Sequence, residues 1–295
     1  MSSRRIETAP SRTADIVCLY RAASSMEKDP RYRTNDWVAR RLLPRFIQVL
    51  FWLPPARRLV TRRLGPPGTY EWVIARTHYV DALFSRAKAE GFAQVVLLGA
   101  GFDSRAIRFQ RELSDMAVFE LDAPTTQAAK TGQYKKRRIP VPINLHFVPV
   151  NFEKEDLAQR LEESGFANGS KTLILMEGVT QYIAPEAIYK TMNIVRDHVG
   201  KGSWMVFDYA HASAVGRGTA GKDEILMAKR LAKSGETWQF GLSDDEVGPF
   251  LARFGFKIID QKNPRELEQA YFKDAQGSIA GHISDAQSIV IAERC

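Results

Sequence analysis

Several apolar runs in this chain end in residues able to hold a ligand. Val95-Val96-Leu97-Leu98 runs into Gly99-Ala100-Gly101. A buried-type strand followed by such a turn lets a ligand approach the backbone at the mouth of the next helix, although a purely structural tight turn uses the same residues. Ser104 stands where a dinucleotide-binding pattern would carry its third glycine. Asp122 closes the next apolar run, about 20 residues on, where a carboxylate can accept both hydrogen bonds of a ribose diol. The alternative to that ribose role is an N-cap for a helix beginning at Pro124. Nicotinamide cofactors and S-adenosylmethionine both carry that ribose, so Asp122 alone does not choose between them. Asn151-Phe152 follows a third run, where the amide oxygen can accept from an adenine amino group and the Phe152 N–H can donate to the ring, unless Asn151 simply makes a turn. Glu177 leaves Leu173-Ile174-Leu175 at the edge where open α/β sheets bind ligands. Upstream, Arg76 offers a guanidinium that can clamp an amino-acid carboxylate bidentately, or it is an ordinary surface arginine.

These residues need a scaffold that gathers strand ends. From Thr13 to Leu53 the pattern is mostly helical, with Asp36 as an N-cap and Pro44 splitting the helix. Pro54-Pro55 and Gly65-Pro66-Pro67-Gly68 are turns, and a second helix runs from Glu71 to Gly91. Strands at Val95–Leu98, Ala117–Leu121, His146–Val150, Thr172–Met176 and Ser203–Phe207 then alternate with helical stretches, which predicts a parallel sheet covered on both faces. Late strands at Phe256–Asp260 and Ser288–Ala292, with no clear helix between them, are expected to pair antiparallel. The prediction is a single doubly wound α/β domain with a seven-stranded sheet. Its parts are a helical cap (1–70), a cofactor-binding core (71–210), a lid insertion (211–242), and a C-terminal helix with strands (243–295). Residues 1–13 read as a loose tail.

Composition is that of an ordinary soluble protein, 44% hydrophobic and 26% charged. The net charge is +8, with arginines crowded into the first 65 residues and a second run at Lys135–Arg138. No aromatic residue interleaves with that second run, which reads as a solvated face, and no nucleic-acid partner is expected. The two cysteines, Cys18 and Cys295, form no Cys-x-x-Cys, so no metal site is expected and a reducing, cytoplasmic setting fits. The apolar stretch Phe46–Leu53 is too short to span a bilayer. Its flanking arginines permit transient contact with a membrane surface, but a membrane partner is not the expectation.

Taken in order, Arg76-Thr77-His78-Tyr79, Leu98–Arg105, Phe119–Pro124, Val148–Phe152, Met176–Ile183 and the late Phe240–Phe256 segment resemble the leucine carboxyl methyltransferase family, in its bacterial small-molecule O-methyltransferase branch. The resemblance covers roughly residues 13–292. It implies a Rossmann-like fold of the class I methyltransferase type, with an antiparallel strand at the C-terminal edge, and S-adenosylmethionine as cofactor. It places the methionine carboxylate on Arg76, the methionine part along Gly99, Ala100 and Gly101, the ribose on Asp122, the adenine at Asn151 and Phe152, and the ammonium near Glu177. The family usually has Asp where Asn151 stands. Arg21 lies near the position of an N-terminal lysine that the protein-methylating members use at the cofactor carboxylate.

The implied reaction is methyl transfer to a carboxylate or hydroxyl oxygen of a partly apolar small molecule. A carboxylate needs no base at neutral pH, whereas a hydroxyl acceptor would use one, with His211, Tyr182 and His78 as candidates and Asp208 a weaker one. Phe46, Phe51, Trp52, Trp238 and Phe240 could line the acceptor pocket or simply pack the core. The rival enzyme is an NAD(P)-dependent oxidoreductase, which shares the glycine turn and Asp122 but would want a third glycine and a Tyr-x-x-x-Lys dyad. A non-catalytic cofactor-binding protein on the same fold is the rival of another class.

Overall fold

A computed structural model describes residues 12–152, 154–234 and 237–295. The expected loose tail lies outside the described residues, apart from Arg12 and Thr13, which lie in a helix. Among the described residues five helices lead: α1 Arg12–Ser24, α2 Trp37–Leu42, α3 Arg45–Leu50, α4 Pro54–Arg63 and α5 Thr69–Arg86. Strands and helices then alternate through β1 Gln94–Leu98, α6 Arg105–Arg108, β2 Ala117–Asp122, α7 Pro124–Arg137, β3 Leu145–Pro149, α8 Leu157–Glu163, β4 Thr172–Met176, α9 Pro185–His198 and β5 Trp204–His211. The rest is α10 Lys222–Ser234, β6 Gly241–Leu242, α11 Asp244–Ala252, β7 Phe256–Lys262, α12 Pro264–Tyr271 and β8 Gln287–Arg294.

Local chemistry sets several of these boundaries. The Asp36 carboxylate accepts from the Ala39 N–H at 2.9 Å and starts α2. Leu43 is extended (φ −64°, ψ 152°), as the residue before Pro44 tends to be, so the long helical pattern breaks into α2 and α3. Between β7 and β8 the chain forms α12, where no clear helix is expected from periodicity. Its signal is an Asn263-Pro264-x-Glu266 start, with a reciprocal capping box and proline in the first turn.

The sheet order is β3-β2-β1-β4-β5-β8-β7, with β6 paired to β5. The sheet has eight strands rather than seven, because β6 contributes two residues, too few to show a period. The strands β1 to β5 are parallel, and β8 is antiparallel to both neighbours, β5 and β7. The antiparallel strand is therefore one in from the edge, and β7 is the edge. Burial explains the order: β8 is buried from Gln287 to Ala292, whereas Lys257, Ile258 and Ile259 of β7 are exposed. Along β1, Val95 and Leu97 pack into the core on one face and Val96 and Leu98 into the core on the other, so both faces are covered. The order reverses between β1 and β4, which opens a crevice at their C-terminal ends.

Candidate active site

That crevice is a cavity of about 300 Å³, walled by α1, the start of α5, the ends of β1, β2 and β4, and the segment around Met227 and Trp238. The turn after β1 is held by backbone bonds to the neighbouring strand, Gly99 N–H and Ala100 N–H both donating to the Leu121 carbonyl at 2.8 and 3.0 Å. Gly99 and Gly101 have φ of +70° and +48°, and a Cβ on Gly99 would overlap Val179 Cγ2. The glycines are thus required by both backbone shape and space.

Asp122 lines the cavity directly beside this turn. One carboxylate oxygen accepts from the Gly101 N–H at 2.5 Å and the other from the Ala123 N–H at 2.6 Å. The N-cap of α7 is Ala123, with no side-chain cap, so Asp122 does not play the alternative capping role for that helix. Burial raises its pKa, and the two backbone donors work against the rise.

Opposite lies a buried charge network. The Arg76 guanidinium is ion-paired to Asp208 and, through Nε at 3.1 Å, to Glu177. Glu177 also meets Arg105 Nη1 at 2.8 Å, and Arg105 is shared with Asp81 and Asp103. Burial works against the charge on Arg76, but Glu177 and Asp208 hold its pKa above the ordinary value. Burial raises the pKa of Asp208, opposed first by Arg76 and then by the Gly178 N–H at 2.6 Å. Asp208 is fully buried and does not line the cavity. It positions Arg76, and is no free base.

Of the residues singled out in sequence, Arg21, Arg76, Gly99, Ala100, Gly101, Asp122, Phe152, Glu177 and Tyr182 share this cavity. Arg21 is buried, its Nη2 donating to the Phe102 carbonyl at 2.6 Å, which braces the glycine turn from α1. Asn151 is not among the lining residues. Its carbonyl accepts from the N–H groups of Lys154 and Glu155 and its N–H donates to the Glu155 carboxylate at 2.7 Å, which makes a turn that presents Phe152.

The two candidate histidines lie elsewhere. His78 is two residues after Arg76 on α5, about 200° round the helix, where it stacks on Tyr271. Burial lowers its pKa. His211 follows Tyr209 on the face of β5 opposite to Asp208, and its Nε2 lies 2.8 Å from Ser288 Oγ. Phe46, Phe51, Trp52 and Phe240 are also absent from the wall, whereas Trp238 is on it. The residues sequence reasoning missed are Trp72, Met227 and the anchoring role of Arg105. Trp72 precedes Arg76 by four residues, one turn up the same helix face, which was a usable signal.

Strand order, switch-point crevice and glycine turn together define a Rossmann-like fold of the class I methyltransferase type. A sequence model of the leucine carboxyl methyltransferase family matches residues 14–196. The Bacillus subtilis (strain 168) protein named "Putative S-adenosyl-L-methionine-dependent methyltransferase YktD" is 30% identical over 208 residues, 70% of this chain and 68% of that one. A Saccharopolyspora erythraea protein of the same description is 27% identical over 231 residues, 76% of each. The chain belongs to the leucine carboxyl methyltransferase family. It is an S-adenosylmethionine-dependent methyltransferase, and these relatives give no support to the oxidoreductase reading. Its fold matches that of a Thermobifida fusca protein with a TM-score of 0.60 at 15% identity, over 97% of this chain and 95% of that one. A Streptomyces avermitilis protein of the duf574 family gives 0.60 at 12% identity, over 99% and 100%. At such identities the likeness is one of fold.

The wall suits this cofactor on its own chemistry. A zwitterionic amino acid needs a cation and an anion, and Arg76 and Glu177 lie side by side. Thr126 Oγ1 is buried at the wall with no hydrogen-bond partner among the described residues, the mark of a group that a ligand completes.

Proposed function

We propose that this methyltransferase acts on a carboxylate or hydroxyl oxygen of a partly apolar small molecule. The observation that carries the reading is the second half of the cavity wall. Beyond the glycine turn it includes Trp72, Val179, Ile183, Met227 and Trp238, with Tyr182, Gln181 and Thr69 among its polar side chains. That composition fits an organic acceptor with an apolar body and a polar group to orient it. We read the chain as one unit, with residues 1–70 as a helical cap, 71–210 as the core, 211–242 as the lid and 243–295 completing the sheet. Two free cysteines, one buried and one exposed, suit the cytoplasm.

When bound, S-adenosylmethionine supplies a methyl group on a positively charged sulfur, a good leaving group. Asp122 would hold the ribose, Phe152 would pack at the adenine, and Arg76 and Glu177 would fix the amino-acid end. The apolar wall then holds the acceptor oxygen in line, and such positioning can contribute about 7–11 kcal/mol. Neither candidate histidine reaches the cavity, and both Arg76 and Arg21 are engaged by protein acceptors. This leaves Tyr182 as the one candidate base on the wall. The arrangement suits an acceptor that is ionised before it binds.

The test is S-adenosylhomocysteine release with matched aromatic and aliphatic carboxylic acids and phenols, with the product identified by mass spectrometry. A methyl ester or methyl ether supports the reading, and Tyr182→Phe should slow ethers more than esters. Methylation found only at nitrogen or sulfur would overturn it.

A further inference from the structure

We propose that the face formed by α3, α4 and the end of α7 is a docking surface for an anionic phospholipid membrane. Sequence reading sets the arginines before residue 65 apart from the run at Lys135–Arg138 and takes the latter alone as a solvated face. The fold joins them. Arg41 Nη2 donates to the Arg137 carbonyl at 2.9 Å, and Arg137 Nη2 donates to the Leu43 carbonyl at 2.9 Å. Every charged residue from Trp37 to Tyr70 is an arginine, with no carboxylate in the stretch. Arg45, Arg58, Arg62 and Arg63 are exposed, and among the described residues none of them forms a salt bridge, Glu71 acting on Arg62 only at longer range. Lys135, Lys136 and Arg138 are exposed at the end of α7 that Arg41 and Leu43 contact.

Large apolar side chains project from the same segment. Phe46 and Trp52 are each 71% exposed, Val49 68% and Leu53 59%. They are held out by structure: Phe51 is fully buried, and the buried Arg57 reaches back to its carbonyl at 2.6 Å, so Trp52 and Leu53 are fixed on the outer side of a pinned turn. On α4 the exposed Leu59 shares a face with Arg62 and Arg63, three and four residues on. A soluble chain that exposes such a cluster has a use for it. A polyanion such as RNA would engage the guanidiniums but leave Val49, Leu53 and Leu59 in water. A phospholipid surface offers phosphate for the arginines and hydrocarbon just beneath for the apolar tips, with aromatic rings favoured between the two. No helix among the described residues is long and apolar enough to cross a membrane, so the contact is interfacial.

The face is built on the cap that also walls the cavity: α4 leads through Gly65–Gly68 into α5, which carries Trp72 and Arg76. Docking would set the cavity's cap against the phase in which an apolar acceptor is concentrated.

The experiment is flotation of the full chain with vesicles of phosphatidylcholine alone and of equimolar phosphatidylcholine and phosphatidylglycerol, with S-adenosylhomocysteine binding as the control for folding. Wild type should float with the anionic vesicles and not with phosphatidylcholine. Arg58→Gln with Arg62→Gln should weaken binding by about thirtyfold, the equivalent of roughly 1 kcal/mol per arginine at an anionic surface. Phe46→Ser with Trp52→Ser should weaken it by about tenfold or more with cofactor affinity unchanged. No flotation of folded wild type would overturn the proposal. So would flotation that neither double variant weakens, which would place the membrane contact on another face of the chain. A concentration-dependent dimer that the Phe46/Trp52 variant dissolves, with no vesicle binding, would assign the face to a second copy of the chain instead.

Discussion

At the scale of single residues, the turn after β1 is the most constrained point in the site. Gly99 has positive φ, and a Cβ there would overlap Val179, which itself lines the cavity. Gly99→Ala should lose about 1–3 kcal/mol from backbone strain and a further amount from the overlap with Val179. Adding Val179→Ala should relieve the overlap and leave the strain, so the double variant should be more stable to urea than Gly99→Ala alone. Simple addition of the two losses would mean that Val179 does not press on the turn. Such residues were legible because a glycine, a strand-end carboxylate and an arginine each announce a chemistry in sequence. The histidines show the limit. His78 is near Arg76 in number, but two residues along a helix is nearly the opposite side, and His211 is separated from Asp208 by the alternation of β5. Residue type suggested a base, and element geometry decided where it pointed.

At the scale of elements, α10 joins the cavity to the surface. It carries Met227 to the cavity, and its first turn is tied to the body by carboxylates: Asp223 to His282 Nε2 at 2.9 Å and Glu224 to Ser213 Oγ at 2.5 Å. His282 is also 3.2 Å from Glu268 on α12. Partial burial works against its charge, but Asp223 and Glu268 hold its pKa above the ordinary value. A histidine with a raised folded pKa contributes its full stabilisation below the unfolded value, about 6.5, and loses it as pH rises through the folded value. Hydrogen exchange over residues 222–234, corrected for intrinsic rates, should therefore report looser protection above that window than below it. His282→Gln should remove the dependence. Protection that is flat with pH in the wild type would detach the lid from this histidine. None of this was readable from sequence: Asp223, Glu268 and His282 are far apart in the chain and meet only because α10, α12 and the loop before β8 converge. The caps and breaks at Asp36 and Pro44 were readable, because they act within one turn. The start of α12 carried an equally local signal in Asn263, Pro264 and Glu266, which periodicity alone passes over.

At the scale of the whole molecule, the cavity couples parts that are distant in sequence. Its wall takes Arg21 from α1, Trp72 and Arg76 from α5, Asp122 from the end of β2, Glu177 from beyond β4, and Trp238 from beyond α10. The parallel core that sets these strand ends side by side was legible as an alternation of short apolar runs. The placement of β8 inside β7 was not, since a pairing partner is a long-range choice that only relative burial reveals. A ligand that binds across so many elements stabilises the folded state alone. At about a hundred times its dissociation constant, S-adenosylhomocysteine should add roughly 2.7 kcal/mol, which for a chain of this size raises Tm by about 5–10 °C. Asp122→Ala removes the carboxylate at the expected ribose position. If that weakens binding tenfold, about 1.4 kcal/mol, the same ligand concentration should give about half the wild-type shift. NADH should give none in either protein. A full shift retained in Asp122→Ala would take the ribose role from Asp122 while leaving the cofactor in place. A wild type indifferent to S-adenosylhomocysteine but stabilised by NADH would mean that the crevice at the β1–β4 switch point serves a different cofactor from the one its family uses.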